Sequence, residues 1–221
     1  MKKWLSFGLI LGLAAAGLAA EPSARGAAAA DGELRRQVLE RKLDALVRNE
    51  DRFRRYILEG ELRTSLCRHC HGPEGVSQRP GVPSLAGQDP AYLVEQFERF
   101  ADGEREEFVM SGLADGLGES DMIRLALYYA SQPLGPEAGS DPELADRGGP
   151  IYRRLCTGCH GADGRGGDGY ARLAGQRADY TAKMLRKFQQ AGRHHPLMSR
   201  ISVSLSDREI EALAAYTAKL P

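Results

Sequence analysis

"CRHCHG", Cys67 to Gly72, returns as "CTGCHG", Cys156 to Gly161: two cysteines three residues apart, each pair followed directly by a histidine. That spacing suits a thiolate zinc site, a redox disulfide or a covalently linked haem. A four-cysteine zinc site does not require a histidine after each pair, although its spacing permits one. A thioredoxin-type disulfide belongs in a βαβ context, and the chain shows no convincing alternating strand. Haem attachment uses every residue of the motif. Two thiols on one turn reach two vinyl groups on one porphyrin edge, and the next histidine gives a ring nitrogen to the iron. Cys67, Cys70, Cys156 and Cys159 are therefore expected to hold two haem c groups covalently, with His71 and His160 as axial ligands.

Outward from these motifs the chain matches itself. "CRHCHGPEG" falls on "CTGCHGADG" at an offset of 89, and "SLAGQDPAY" on "RLAGQRADY" at 88. "EEFVMSGL" then falls on "HHPLMSRI", and "LALYYASQP" on "LAAYTAKLP". Four blocks in one order and nearly one register indicate a duplication. The expected organisation is a first haem domain at 61–133, a linker at 134–145 containing "LGPEAGSDPE", and a second haem domain at 146–221.

Each copy reads as all-α. Short helices are expected before each first cysteine, at Glu61–Leu66 and Gly149–Leu155. A middle helix starts at Asp89-Pro90, with Asp as N-cap and Pro in the first turn. It buries Leu93, Phe97 and Phe100; Tyr180, Met184, Leu185 and Phe188 do the same in copy two. A last helix follows Glu119–Asp121, and in copy two "SDRE" forms a capping box ahead of Ile210, Leu213, Ala214 and Thr217. Three short helices bury little apolar area, so a large cofactor in the middle supplies the missing core.

The sixth iron position is decided by the remaining histidines and methionines. His69 lies inside the first motif, and His194–His195 have Glu106–Glu107 as their counterparts in copy one. Met110 and Met198 occupy matching positions, 39 and 38 residues after His71 and His160, in the segment after the middle helix, expected as loop. They are the expected axial ligands, with His195 the rival in copy two. Met122 and Met184 are read as core. Histidine and methionine together close both axial positions and raise the potential, which describes an electron carrier rather than an enzyme.

Lys2 and Lys3 precede the apolar run Trp4–Ala20, which ends in small residues. This reads as a secretory signal peptide over 1–20, cleaved near Ala19 or Ala20 or at Ala27–Ala30, and it implies a periplasmic protein; an uncleaved anchor is the alternative. Residues 21–60 read as a linker and a charged amphipathic helix with Leu39, Leu43, Leu46, Phe53 and Ile57 on one face. That helix either packs on its own haem domain or serves docking or dimerisation. Thirty Lys and Arg balance thirty Asp and Glu, so the chain has no basic excess for nucleic acid. The balance hides an asymmetry: residues 61–133 carry six basic against twelve acidic side chains, a net of −6, and 134–221 carry thirteen against ten, a net of +3. Such a dipole can steer different partners to different faces.

Two CxxCH motifs, each followed by "LAGQ", an aromatic-bearing helix, a methionine and a final amphipathic helix, resemble the cytochrome c4 family over about 160 residues. The resemblance implies two class I cytochrome c domains in tandem, with His71/Met110 and His160/Met198 as axial pairs and the haems close across the domain interface. It implies single-electron transfer between a quinol-oxidising complex or dehydrogenase and a terminal oxidase or reductase, often at the membrane periphery. The alternative is a haem subunit of a periplasmic oxidoreductase such as thiosulfate dehydrogenase, or a di-haem peroxidase. Pro83 resembles the family residue whose carbonyl receives the ligand histidine's second N–H, whereas copy two has Ala171 there, a less fixed backbone.

Overall fold

The computed structural model describes residues 24–135 and 140–221, with side chains from residue 34 onward. The signal-peptide expectation falls outside the described residues. Arg35–Pro221 forms one compact unit that contains both cysteine motifs. Among the described residues the structure is helical without strands; an isolated antiparallel bridge joins Gly167 and Tyr170.

The helices run α1 (Ala24–Val47), α2 (Glu50–Glu61), α3 (Arg68–His71), α4 (Pro90–Ala101), α5 (Phe108–Ala114) and α6 (Glu119–Ala130). The second copy follows with α7 (Pro142–Leu155), α8 (Thr157–His160), α9 (Ala178–Gln189), α10 (Pro196–Val203) and α11 (Asp207–Lys219). No helix among the described residues is long and apolar enough to cross a membrane.

The duplication is visible in how the helices cross. α2 packs on α6, and α7 packs on α11. Both crossings turn on a glycine in close approach. A Cβ on Gly60 would lie 2.3 Å from the Arg124 carbonyl oxygen, and one on Gly148 would lie 2.0 Å from that of Ala212. The first-copy helix thus ends at Glu61 and occupies residues expected to precede the domain. The expected helix at 61–66 is instead a turn leading to Cys67.

The segment expected over 21–60 as a linker and one charged helix holds two helices, α1 and α2. Asn49 ends the run and caps α2, its side chain accepting from the Arg52 N–H at 3.0 Å. Leu43 and Leu46 on α1 are buried in the first-copy core with Val94, Phe97, Met122 and Ile123. Leu39, Phe53 and Ile57 pack half-buried against the same core. The apolar stripe therefore lies on the chain's own first haem module.

Other boundaries follow the local chemistry. Asp89 accepts from the Tyr92 N–H at 2.7 Å to start α4, and the Ser206–Glu209 capping box starts α11. Leu93, Phe97 and Phe100 are buried, as are Met184 and Phe188 in copy two; Tyr180 and Leu185 are half-buried.

Candidate haem sites

Each cysteine motif forms one helical turn, α3 or α8, with both cysteines half-buried and unpaired. Burial pushes the Cys67 thiol up and the Cys156 thiol up to about 11, so both are protonated at neutral pH. Among the described residues no three His, Cys, Asp or Glu side chains gather as a metal cluster would require.

The two motif histidines are held alike. His71 Nδ1 lies 2.9 Å from the Pro83 carbonyl oxygen, and His160 Nδ1 lies 2.8 Å from that of Ala171. A carbonyl only accepts, so Nδ1 carries the proton in each ring and Nε2 keeps its lone pair. Burial lowers both pKa values and keeps the rings neutral, as a metal ligand must be. Between Nδ1 and the carbonyl no rotation is left to the ring, which is how metal-binding imidazoles are oriented.

Met110 and Met198 lie in the first turns of α5 and α10, not in the expected loops. The reason is capping. Glu107 accepts from the N–H groups of Val109 and Met110 at 3.1 and 3.2 Å. In copy two His195 Nδ1 accepts from the Met198 N–H at 3.3 Å, and Pro196 begins the helix. Both methionines are half-buried, and Met110 packs against the first-copy core. His195, the rival for the second site, thus spends Nδ1 as a helix cap, and burial pushes its pKa down to about 4. His69 is exposed and donates from Nδ1 to the Ser65 carbonyl at 2.9 Å.

The halves meet through paired contacts that individual motifs did not disclose. The Gln88 side chain accepts from the Arg172 N–H at 2.6 Å and donates to its carbonyl at 3.0 Å. Gln176 does the same to Ser84, at 2.9 Å for each bond. These are the last residues of the two "LAGQ" blocks, each holding the residue that precedes the other's block. A second exchange crosses nearby: Arg105 donates to the Tyr180 hydroxyl at 2.8 Å, and Arg193 to that of Tyr92 at 3.0 Å. Each guanidinium also covers a phenyl ring of its own half, Phe100 at 4.4 Å and Phe188 at 4.6 Å. Gln96 accepts from both arginines. Among the described residues neither guanidinium is in an ion pair. Gln88, Tyr92, Phe100 and Arg105 recur at the offset of 88 as Gln176, Tyr180, Phe188 and Arg193, so the repeat itself carried that part of the signal, whereas Gln96 has Met184 as its counterpart.

The donor set fits haem. Paired thiols stand one turn apart, each next to a neutral imidazole with a free Nε2. The Tyr129 hydroxyl beside Cys67 is buried without a hydrogen-bond partner of good geometry. Two half-buried cations lacking carboxylates suit the acidic edge of a porphyrin.

Comparison with known proteins agrees. The model of the cytochrome C oxidase, cbb3-type, subunit III family matches residues 143–216. The chain is 35% identical over 170 residues to cytochrome c4 of Pseudomonas aeruginosa, covering 71% of this chain and 85% of that one. The crystal structure of reduced recombinant cytochrome c4 from Pseudomonas stutzeri is similar with a TM-score of 0.70 at 34% identity, covering 74% of this chain and 97% of that one. A thiosulfate dehydrogenase electron acceptor of Thiomonas intermedia is 32% identical over 172 residues, 70% of this chain and 78% of that protein.

Proposed function

The chain belongs to the cytochrome c4 family, and from that premise we propose which residues make it work. As a family member it is a di-haem electron-transfer cytochrome with two covalent haem c groups. Cys67 and Cys70 would hold the first group and Cys156 and Cys159 the second, and His71 with Met110 and His160 with Met198 would ligate the two irons. Each iron, when bound, supplies a one-electron couple whose potential the thioether raises. The observation that carries this reading is the matched histidine geometry, in which both rings are neutral, oriented through Nδ1 and open at Nε2.

The protein's residues do the remaining work. Buried, protonated thiols are kept for thioether formation. The Pro83 and Ala171 carbonyls strengthen and aim the imidazoles. Glu107 and His195 fix the helical turns from which the methionines project. Arg105 and Arg193 offer guanidinium groups to cofactor carboxylates at the junction. We place the first haem module from about Glu50 to Pro133, a start set by the α2/α6 crossing, and the second from about Pro142 to Pro221. Export to the periplasm and exchange with a quinol-oxidising complex or dehydrogenase on one side and an oxidase or reductase on the other complete the reading. A second reading, electron acceptor to a thiosulfate dehydrogenase, is favoured by the relative of that name and uses the same chemistry. A peroxidase needs an open axial position, and the recurrence of Met110 as Met198 argues against one.

The test is a redox titration of the full-length holoprotein with near-infrared spectroscopy. Two one-electron steps are expected, with a thioether-to-iron band that halves in Met110→Ala or Met198→Ala and vanishes in the double variant. An unchanged band in both single variants would sink the assignment.

A further inference from the structure

The second haem site lacks the proline that stiffens the first, and an element outside the repeat takes up that position. In copy one the carbonyl that holds His71 belongs to Pro83, whose ring fixes its backbone. In copy two the carbonyl belongs to Ala171, at the end of the glycine-rich stretch Gly161–Gly169. One side of that stretch is closed by its own backbone. Gly166 donates to the His160 carbonyl at 2.9 Å, and a Cβ on it would stand 2.3 Å from the Tyr170 oxygen and 2.7 Å from that of Ala171. Gly167 and Tyr170 exchange backbone hydrogen bonds at 3.2 and 2.9 Å.

The other side is closed by α1. Arg36 lies across Gly169 so closely that a Cβ there would meet its Cδ at 2.6 Å. Its guanidinium carbon stands 5.0 Å from the centre of the Tyr170 ring, within cation–π range. Two turns on, Leu43 and Leu46 of the same helix are buried in the first-copy core. α1 is thus anchored in one half and presses on the other, one residue before the carbonyl that aims His160. Among the described residues no counterpart of α1 precedes α7, so α1 stands outside the repeat.

We propose that Arg36 is a positioning residue for the second haem: by clamping Gly169 and Tyr170 it fixes the Ala171 carbonyl, as proline does in the first site. The inference rests on the reading of His160 as an iron ligand. A loosened carbonyl weakens the Nδ1–H bond, makes the imidazole a poorer donor and raises the potential of that iron.

The experiment compares wild-type, Arg36→Ala, Arg36→Lys and Arg36→Ala/Ala171→Pro as full-length holoproteins, by redox titration and by NMR of the two axial-histidine ring N–H protons. In Arg36→Ala we expect one of the two redox steps to move upward, by about 3- to 10-fold in its equilibrium constant. The His160 ring proton should exchange faster, with the first haem unaffected. Lys should retain part of the wild-type behaviour, and proline at 171 should restore it without the arginine. Equal shifts of both haems, no shift in either, or no restoration by proline would each overturn the proposal. Failure of the underlying reading is separate: His160→Ala would then leave the ligation of both irons in the otherwise wild-type protein unchanged.

Discussion

A neutral imidazole with its proton committed to a backbone carbonyl is a directed ligand, and His71 and His160 both meet that description. On the proposed ligation, a soft thioether from Met110 or Met198 would favour ferrous iron. Replacing Met110 by histidine should therefore lower the potential of the first haem by a sizeable part of the ~0.8 V range that axial ligands command. Spectroelectrochemistry checks it, and the second step should hold its place. Cysteine and histidine were read as haem donors because the motif packs three chemical demands into five residues. The methionines were singled out by their recurrence, but their helical setting left no mark in the sequence. It depends on Glu107 and His195 reaching forward to cap the turn, and these two residue types look unrelated until both are seen as acceptors. Arg36 left no trace in sequence, because its partner, Tyr170, lies 134 residues away.

At the scale of elements, the two helix crossings depend on what is missing from Gly60 and Gly148. Alanine at Gly60 would force the α2/α6 backbones apart, and an overpacked contact of this kind costs about 1–3 kcal/mol. Denaturant unfolding should show this loss for Gly60→Ala, with a comparable one for Gly148→Ala. Apolar periodicity revealed α4, α6, α9 and α11 because each buries a wide face. It gave no warning of the break at Arg48–Asn49, since the stripe from Leu39 to Ile57 continues in register through it. A capping asparagine, rather than any change in hydrophobicity, divides α1 from α2. The α2 helix was hidden for a different reason: Gly60 to Cys67 is one residue shorter than Gly148 to Cys156, which sets it out of register in a repeat aligned on the cysteines.

At the scale of the whole molecule, the junction between halves is built from reciprocal polar bonds. Gln88→Ala would strand the Arg172 N–H and C=O, and leaving such groups unsatisfied costs about 1–3 kcal/mol. Thermal unfolding of the holoprotein should register that loss. Acid should weaken the junction separately. Asp179 accepts from the Gly81 N–H of the other half at 2.8 Å. Against the upward push of partial burial, the hydrogen bonds from Arg177 and Gly81 hold its carboxyl below the ordinary 3.8. A depressed carboxylate contributes fully above its unfolded value and loses that contribution as pH falls through the folded one. Hydrogen exchange at the Gly81 amide should accordingly accelerate below about pH 3.8 in the wild type. Asp179→Asn should lack that acid-dependent component.

The "LAGQ" exchange makes each half the other's solvent: the backbone groups that Gln88 and Gln176 serve would face water in either half alone. Neither copy can be separated without exposing what the other covers. Expressed alone, residues 140–221 should yield a frayed, poorly soluble fragment, while a chain nicked in the linker should stay together as a pair.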